Sequence, residues 1–164
     1  MAKGAGGGLH DPEDFDGRGS VILSPAECRH LLERAEGGVG RLGTVVAADV
    51  TILPLNYVCY DGDLLVRLGP GRLLQALSDE PRVAFEVDHV HVGRSDRPEA
   101  WSVLAQGTAR LVREPSELSD VSALGLTPLV GEPGEVYVRL CIEHISGRRF
   151  PVGALARFQL RRSL

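Results

Sequence analysis

Residues 50–74 read VTILPLNYVCYDGDLLVRLGPGRLL, and this stretch contains the strongest fold signals of the chain. Two runs rich in apolar and β-branched residues flank the dipeptide Asp61-Gly62, which is typical of a type I′ turn in a β-hairpin. The tripeptide Gly69-Pro70-Gly71 ends the second run, because these residues do not continue a strand. Arg72 to Leu77 then predicts a short helix. The stretch therefore predicts a hairpin followed by a helix.

The sequence on both sides of this stretch adds further short strands. Val83, Phe85 and Val87 recur at the two-residue period of a half-buried strand. Pro54 cannot donate a hydrogen bond to a ladder, so its strand is expected at a free edge or a bulge. With few helices and no βαβ pattern, the chain is mainly β and predicts an antiparallel barrel or sandwich. The six predicted strands cover Val39 to Ala47, Val50 to Tyr60, Leu64 to Leu68, Val83 to Val90, Trp101 to Val112 and Glu135 to Ile145.

Two longer helices are predicted outside the opening stretch. Ser24-Pro25-Ala26-Glu27 has the pattern of a capping box, with Ser at the N-cap and Glu at the third helical position. Gly37-Gly38 ends this first helix, and Pro115 to Leu124 predicts the second. The apolar face of the first helix, at helical spacing, consists of Cys28, Leu31, Leu32 and Ala35.

Length and composition indicate one domain. The chain has 164 residues, of which 43% are hydrophobic and 24% charged, as in an ordinary globular protein. We expect a Gly-rich, acidic, flexible leader over residues 1–20, a folded domain over 21–150 and a basic tail over 151–164. No apolar run approaches the roughly 20 residues that span a bilayer, and the N-terminus has no apolar signal region. A cytoplasmic location without membrane insertion is therefore expected.

Charge and cysteine usage exclude several classes of function. Residues 21–138 carry 10 basic and 17 acidic groups, which argues against a nucleic-acid-binding protein because such a protein needs a broad basic face. The three cysteines are isolated, so neither a zinc cluster nor a disulfide framework is predicted.

His89 and His91 have a spacing that permits metal binding, but no third ligand accompanies them. Signatures of serine hydrolases, P-loop enzymes and zinc proteases are absent.

Three segments are the candidates for a binding site. Pro54-Leu55-Asn56-Tyr57 lies in the proline-containing strand, where interruption of a ladder frees backbone groups for a ligand. Arg67 to Arg72 joins a strand to a helix through glycines and carries two arginines, which suits an anion such as phosphate. Trp101-Ser102 opens a long strand with a flat apolar ring beside a hydroxyl. Each segment alone also fits an ordinary structural role.

The order of these segments resembles a known family. The motifs GRLGT, PLNY, DGDLLVRLGPGRLL, VAFEVD, WSVLAQG and SGRRF resemble the pyridoxamine 5′-phosphate oxidase-like, FMN-binding split-barrel family, from about Leu23 to Phe150. Within the family, the actinobacterial branch related to nitroimidazole-resistance reductases is the most similar. The resemblance implies a six-stranded antiparallel split β-barrel that forms a homodimer, with two equivalent FMN sites at the interface.

The resemblance also implies which residues contact the coenzyme. In the family, the strand that corresponds to Pro54, Leu55, Asn56 and Tyr57 lies along the isoalloxazine ring. The phosphate-binding positions correspond to Arg67, Leu68 and Arg72, with Leu73 next to them. Trp101 and Ser102 correspond to a segment that reaches the cofactor near the dimer interface. The implied function is flavin-dependent hydride transfer to or from a small molecule; catalytic residues are not identified, with Tyr57 and His89 as possible proton sources.

Two departures from the family pattern keep alternatives open. Leu68 stands where the family has Thr or Ser against the phosphate, which removes one hydrogen bond. This change favours weaker FMN binding, a deazaflavin coenzyme, or loss of the cofactor. The C-terminal Arg-x-His motif of true pyridoxamine oxidases is absent, and Arg148-Arg149-Phe150 stands near that region instead. A non-catalytic module that binds flavin or haem is the alternative to an oxidoreductase.

Overall fold

The computed structural model describes residues 20–91, 99–126 and 136–150, which contain eight strands and three helices. The predicted leader, apart from Ser20, and the whole of the predicted tail therefore lie outside the described residues. No helix in the described part is long and apolar enough to cross a membrane. In chain order the elements are β1 (Val21–Leu23), α1 (Pro25–Arg34), β2 (Val39–Val46), β3 (Asp49–Asn56), β4 (Val58–Tyr60), β5 (Asp63–Leu68), α2 (Arg72–Leu77), β6 (Arg82–His91), β7 (Glu99–Leu111), α3 (Pro115–Ala123) and β8 (Val136–Arg149).

The described strands form one antiparallel sheet in the order β3-β2-β6-β7-β8-β5-β4, with β1 paired to β8. The two ends of this order, β3 and β4, are consecutive in the chain and are separated by Tyr57 alone. The sheet therefore curls until its ends belong to one continuous segment, and the prediction of an antiparallel split barrel is confirmed. The predicted strand number was too low, because β1 was not expected and the run Val50 to Tyr60 is two strands.

Tyr57 is the reason for the break between β3 and β4. Its side chain is completely buried, and its hydroxyl donates to the Leu32 carbonyl of α1 at 2.9 Å. Its ring meets Phe85 edge-on, with 5.4 Å between the centroids. Its own carbonyl accepts a hydrogen bond from the Gly37 N–H at 2.8 Å. Held from three sides, the chain leaves its pairing with β2 and continues as a partner of β5.

The α1 helix begins as predicted. The Glu27 N–H donates to the Ser24 hydroxyl at 3.3 Å, and the Ser24 N–H donates to the Glu27 carboxylate at 2.9 Å, which completes the capping box. Cys28, Leu31 and Leu32 are buried in the same apolar cluster as the barrel interior. The amphipathic face read from the sequence therefore packs α1 against the barrel.

A second, smaller core lies under α3, on the outer face of β5 and β8. Leu65 and Tyr137 point away from the barrel interior and are buried with Val112, Val121 and Leu126. Ion pairs fasten α3 above them. The Glu117 carboxylate receives two bonds from Arg110, at 3.0 and 2.7 Å, and one from Arg139 at 3.0 Å. Arg139 also donates to Asp63 at 2.7 Å, so one network joins α3 to both strands.

We expect a Glu117→Gln variant to lose stability in a pH-dependent way. Hydrogen bonds from Arg110 and Arg139 hold the pKa of Glu117 below its ordinary value of 4.5, although partial burial opposes them. A carboxyl with a lowered folded-state pKa adds stability above its unfolded-state pKa, and this stability disappears as the pH falls through the folded-state pKa. The variant should lose about 2 kcal/mol of unfolding free energy near neutral pH.

Urea unfolding measured near neutral pH and in steps below 4.5 tests this expectation. The difference between wild type and Glu117→Gln should shrink as the solution is acidified. Glu114→Gln is the matched control, because Glu114 is exposed at the N-cap of the same helix and makes no capping bond through its side chain. A difference that stays constant with pH would show that the charge of Glu117 does not contribute.

Candidate functional site

A gap in the barrel separates β3 from β5. The β4–β5 ladder pairs Val58 with Leu65, Cys59 with Leu64 and Tyr60 with Asp63. Continued beyond Tyr57, the same register would place Asn56 opposite Arg67 and Leu55 opposite Leu68. The ladder does not continue: all eight residues of β3 pair with β2, and none pairs with β5. β3 and β5 still touch, so the two predicted cofactor segments lie on the two sides of one split.

The β3 side of the split offers two outward side chains and a free backbone edge. Pro54 pairs with Arg41 and Asn56 pairs with Val39, so these residues share the outer face of the sheet. β3 has no second partner strand among the described residues, which confirms the edge position predicted from Pro54. The ladder itself is not interrupted at Pro54, contrary to the prediction. The backbone groups available to a ligand are those on the unpaired edge.

The side chains of Leu55 and Tyr57 pack toward the core, unlike the outward side chains of Pro54 and Asn56. Leu55 is partly buried against the main core, and Tyr57 is wholly inside it. The Tyr57 hydroxyl is already bonded to Leu32, and burial raises the pKa of this phenol. The suggestion that Tyr57 serves as a proton source is therefore wrong. Only the backbone of Tyr57 remains available to a cofactor.

The β5 side of the split carries the predicted phosphate-binding positions. Arg67 lies on the outer face, with its guanidinium carbon 5.3 Å from the centroid of the Tyr137 ring. Its Nη1 donates to the Leu126 carbonyl at 3.4 Å. Leu68 points the other way, is buried in the main core and has no hydroxyl to offer. Arg67 is thus the polar side chain at the end of β5.

The loop after β5 is open and leads to a second arginine. An added Cβ at Gly69 or Gly71 would meet no atom within 4 Å, so a ligand can approach this backbone closely. Arg72 is exposed at the first position of α2. Leu73, the next residue, is partly buried against the main core and does not extend the polar surface. With only six residues, α2 has little dipole of its own, and the two arginines carry the positive charge.

Trp101 and Ser102 lie on β7, which borders neither side of the split. β7 follows β3, β2 and β6 in the sheet order, which is three strand spacings or about 14 Å along the sheet. Trp101 is buried and stacks with His89, with 5.8 Å between ring centroids and 26° between ring planes. Ser102 pairs with Asp88 and faces outward. Two of the three predicted segments therefore border the split, and the third lies on a strand that does not.

Two cavities of similar size occur in the described part of the molecule. One of about 290 Å³ lies beside Trp101 and His89, between the end of α1 and the start of β2. Val39 lines it and is the pairing partner of Asn56, so this cavity borders the end of the β3 segment. Another of about 310 Å³ lies between α1 and the β4–β5 turn. None of the predicted site residues lines that larger cavity.

The outer face of β2 and β3 is apolar and exposed. Val45, Val50 and Ile52 expose 56%, 83% and 66% of their surface, although strand residues of this kind are usually buried. Arg41 on the same face donates to Glu86 at 2.9 Å and also to Asp88. The sequence analysis did not identify this face as a site. Its signal is the strict alternation along β2, where buried Leu42 and Thr44 leave the odd-numbered residues outside.

Candidate metal ligands remain isolated. Within the described residues no group of three or more His, Cys, Asp or Glu side chains is arranged to hold a metal ion. The three cysteines, all of which lie in the described part, are free thiols. The site is thus defined by arginines, glycines and a free strand edge.

Comparison with known proteins connects this arrangement to a family. The family model described as pyridoxamine 5′-phosphate oxidase matches residues 24–149. None of the curated proteins matches the chain. Among solved structures, an FAD-binding protein from Mycobacterium smegmatis is 30% identical, with a TM-score of 0.60 over 80% of this chain and 99% of that one.

Two further solved structures are similar over most of their length. A candidate pyridoxamine 5′-phosphate oxidase from Corynebacterium glutamicum is 26% identical, with a TM-score of 0.66 over 87% of this chain and 97% of that one. An FAD-binding protein from Mesorhizobium loti is 26% identical, with a TM-score of 0.61 over 80% and 99% of the two chains. The split between β3 and β5 therefore occurs in a fold shared with proteins named for flavin binding.

Proposed function

The chain belongs to the pyridoxamine 5′-phosphate oxidase family, and we propose that it is a flavin-dependent oxidoreductase with its coenzyme in the split between β3 and β5. The observation that supports this most strongly is the contact between β3 and β5, which brings the two predicted segments to the two sides of one split. The segment predicted to lie along the flavin ring and the segment predicted to bind its phosphate face each other at this split. The edge of β3 that pairs with no described strand lies beside them.

The donors at the split fit a flavin phosphate. Arg67 and Arg72 carry guanidinium groups, whose planar forks suit phosphate oxygens. The open loop at Gly69 and Gly71 leaves room for the phosphate against the backbone. Asn56 faces outward beside Pro54, where an amide can bond to the polar edge of the ring. A bound flavin supplies hydride transfer, while these residues bind it and orient it.

The finer identity of the coenzyme is part of the proposal. We expect FMN, with FAD and a deazaflavin coenzyme as the alternatives. Leu68 removes the hydroxyl contact that the family offers to the phosphate, which favours weak FMN binding. Two of the similar structures are of FAD-binding proteins by name. The mass of the ligand released by heat from the purified protein distinguishes the three coenzymes.

We further propose a homodimer in which the second copy completes the site. The position of Trp101 and Ser102 on β7, which borders neither side of the split, supports this, because the resemblance places the corresponding segment near a dimer interface. The exposed apolar face of β2 and β3 supports it as well, since association would bury that face. In this arrangement, the β7 segment of one protomer meets the split of its partner through the outward-facing Ser102, with the buried Trp101 behind it.

An Ile52→Lys variant is expected to be monomeric and to lose most of its flavin affinity. Ile52 is 66% exposed, so a lysine there leaves the fold of the monomer intact but places charges against each other in the proposed interface. Sedimentation measures the association, and flavin titration measures the affinity. Leu124→Lys is the matched control, because Leu124 is 43% exposed at the end of α3, away from this face. Equal dimerisation of the two variants would contradict the proposed interface.

Catalysis is tested by following oxidation of the reduced, flavin-loaded protein. The protein is loaded with flavin, reduced with dithionite without oxygen, freed of excess reductant and mixed with quinone and nitroaromatic acceptors. We expect at least one acceptor to oxidise the bound flavin tenfold faster than free reduced flavin, since the site would hold the reactants in place. Flavin binding with no acceptor reduced faster than by free reduced flavin would instead assign a non-catalytic flavin-binding module.

A further inference from the structure

The contacts of Arg67 suggest a role for Tyr137, a residue that belongs to none of the sequence motifs. Arg67 and Tyr137 are pairing partners on β5 and β8, and the guanidinium carbon lies 5.3 Å from the ring centroid. This distance is within the range of a cation–π interaction. The Tyr137 side chain is 6% exposed and packs in the second core under α3. The ring is therefore a fixed surface against which the arginine lies.

The end of α3 restrains the same guanidinium from a second direction. The Leu126 carbonyl, three residues beyond α3, accepts a bond from Arg67 Nη1 at 3.4 Å. α3 is itself fastened by the bonds from Arg110 and Arg139 to Glu117. The position of Leu126 relative to β5 is thus set by the network that holds α3. Ring and carbonyl together limit the rotamers that Arg67 can adopt.

Restraint of the Arg67 side chain favours tighter binding of an anion. A long, free arginine side chain loses conformational entropy when it binds a ligand, and that loss weakens the complex. An arginine already held in place loses less. The contact with Tyr137 restrains the guanidinium without an N–H donor bond of its own, because the guanidinium lies over the ring face.

We propose that Tyr137 is a positioning residue for the coenzyme phosphate, acting through Arg67. The proposal rests on the proposed function, since it takes Arg67 to be a phosphate ligand. Tyr137 itself does not touch the coenzyme: its ring holds the guanidinium at the end of β5, and the Leu126 carbonyl holds one of its nitrogens. The second core thereby positions Arg67 in the site and also stabilises the barrel.

The chain contains a matched control for this contact. Arg139 lies over the ring of Tyr60 at 5.2 Å, nearly the same distance as between Arg67 and Tyr137. Tyr60 also packs against the second core. Arg139, however, is bonded to Asp63 and Glu117 and belongs to the network that holds α3. Tyr60→Leu therefore removes an equivalent ring contact without releasing Arg67.

The test compares FMN with riboflavin, which has the same ring system but no phosphate. Dissociation constants for both are measured by fluorescence titration of wild type, Tyr137→Leu, Tyr60→Leu, Arg67→Ala and the double variant Arg67→Ala/Tyr137→Leu. We expect Tyr137→Leu to weaken FMN binding about five- to tenfold and riboflavin binding less than about twofold. Tyr60→Leu should change neither. The double variant should bind FMN as Arg67→Ala does, because Tyr137 acts only through Arg67.

Tyr137→Phe keeps the ring and should restore the wild-type preference for FMN over riboflavin. If Tyr137→Leu does not fold, Tyr137→Met replaces it, since methionine fills the core without an aromatic face. Equal weakening of FMN and riboflavin binding, or additive losses in the double variant, would overturn the positioning role. A wild-type protein that binds FMN no better than riboflavin would instead overturn the proposed phosphate site itself.

Discussion

Arg72→Ala is expected to bind FMN at least tenfold more weakly than wild type and to bind riboflavin almost unchanged. A hydrogen bond to a charged group contributes about 1.5–3 kcal/mol, which corresponds to a factor of ten or more in affinity. Arg72 is exposed on a short helix and no contact of its side chain holds the barrel together. Its loss should therefore affect the ligand and leave the stability of the protein unchanged.

Fluorescence titration with FMN and with riboflavin measures this effect. Adding Arg67→Ala to Arg72→Ala should weaken FMN binding further, because both guanidinium groups are expected to contact the phosphate. Arg113→Ala is the control, since Arg113 is an exposed arginine beyond the end of β7, on neither of the strands that border the split. If Arg72→Ala and Arg113→Ala bind FMN equally well, the phosphate does not lie at the start of α2.

Gly107→Ala is expected to prevent folding or to cost more than about 4 kcal/mol of unfolding free energy. Gly107 lies in β7 at the bulge opposite β8, in the centre of the sheet. An added Cβ would lie within 1.8 Å of the Cys141 carbonyl oxygen and 3.2 Å of the Glu143 nitrogen. Both neighbours are backbone atoms of β8, so no side chain can move aside to make room.

Gly43→Ala is the matched control for this substitution. Gly43 also lies in a strand, but its added Cβ would come no closer than 3.7 Å to Ala84, an ordinary contact. Urea unfolding followed by circular dichroism compares the two variants. We expect Gly43→Ala to lie within about 1 kcal/mol of wild type. Similar stability of the two variants would contradict the close approach of β7 and β8 at the bulge.

Features that depend on a few neighbouring residues could be predicted from the sequence. The capping box of Ser24 and Glu27 formed as expected, because both partners lie within one helical turn. Asp61 and Gly62 both adopt the left-handed conformation, with φ of 50° and 79°, as a type I′ turn requires. The edge position of Pro54 followed from its missing N–H. Local chemistry determines each of these features.

Features that depend on distant pairings could not be predicted in the same way. At Tyr57 the chain stops pairing with β2 and begins to pair with β5. No residue pattern in the run Val50 to Tyr60 indicates this change of partner strand. The contact between Arg67 and Tyr137 joins residues that are 70 positions apart in the sequence and meet only through the β5–β8 register. The last strand also extends to Arg149, beyond the predicted end at Ile145, because β1 and β7 continue to pair with it.

The candidate site was predicted in part. The resemblance named residues on both sides of the split, but it did not separate side chains that face a ligand from those in the core. The alternation of outward and buried side chains along each strand distinguishes these two groups. Pro54, Asn56 and Arg67 face outward, whereas Leu68 and Tyr57 are buried. Contacts with the coenzyme, and with a second copy of the chain, remain predictions.

The most direct test of the central claim, that this chain binds a flavin, is the absorption spectrum of the protein after gel filtration. Protein is purified, incubated with excess FMN, FAD or a deazaflavin coenzyme, and separated from unbound ligand before the spectrum is taken. We predict that one of these coenzymes elutes with the protein in equimolar amount, and that Arg67→Ala/Arg72→Ala elutes without it. A folded wild-type protein that remains colourless with all three coenzymes would contradict the account.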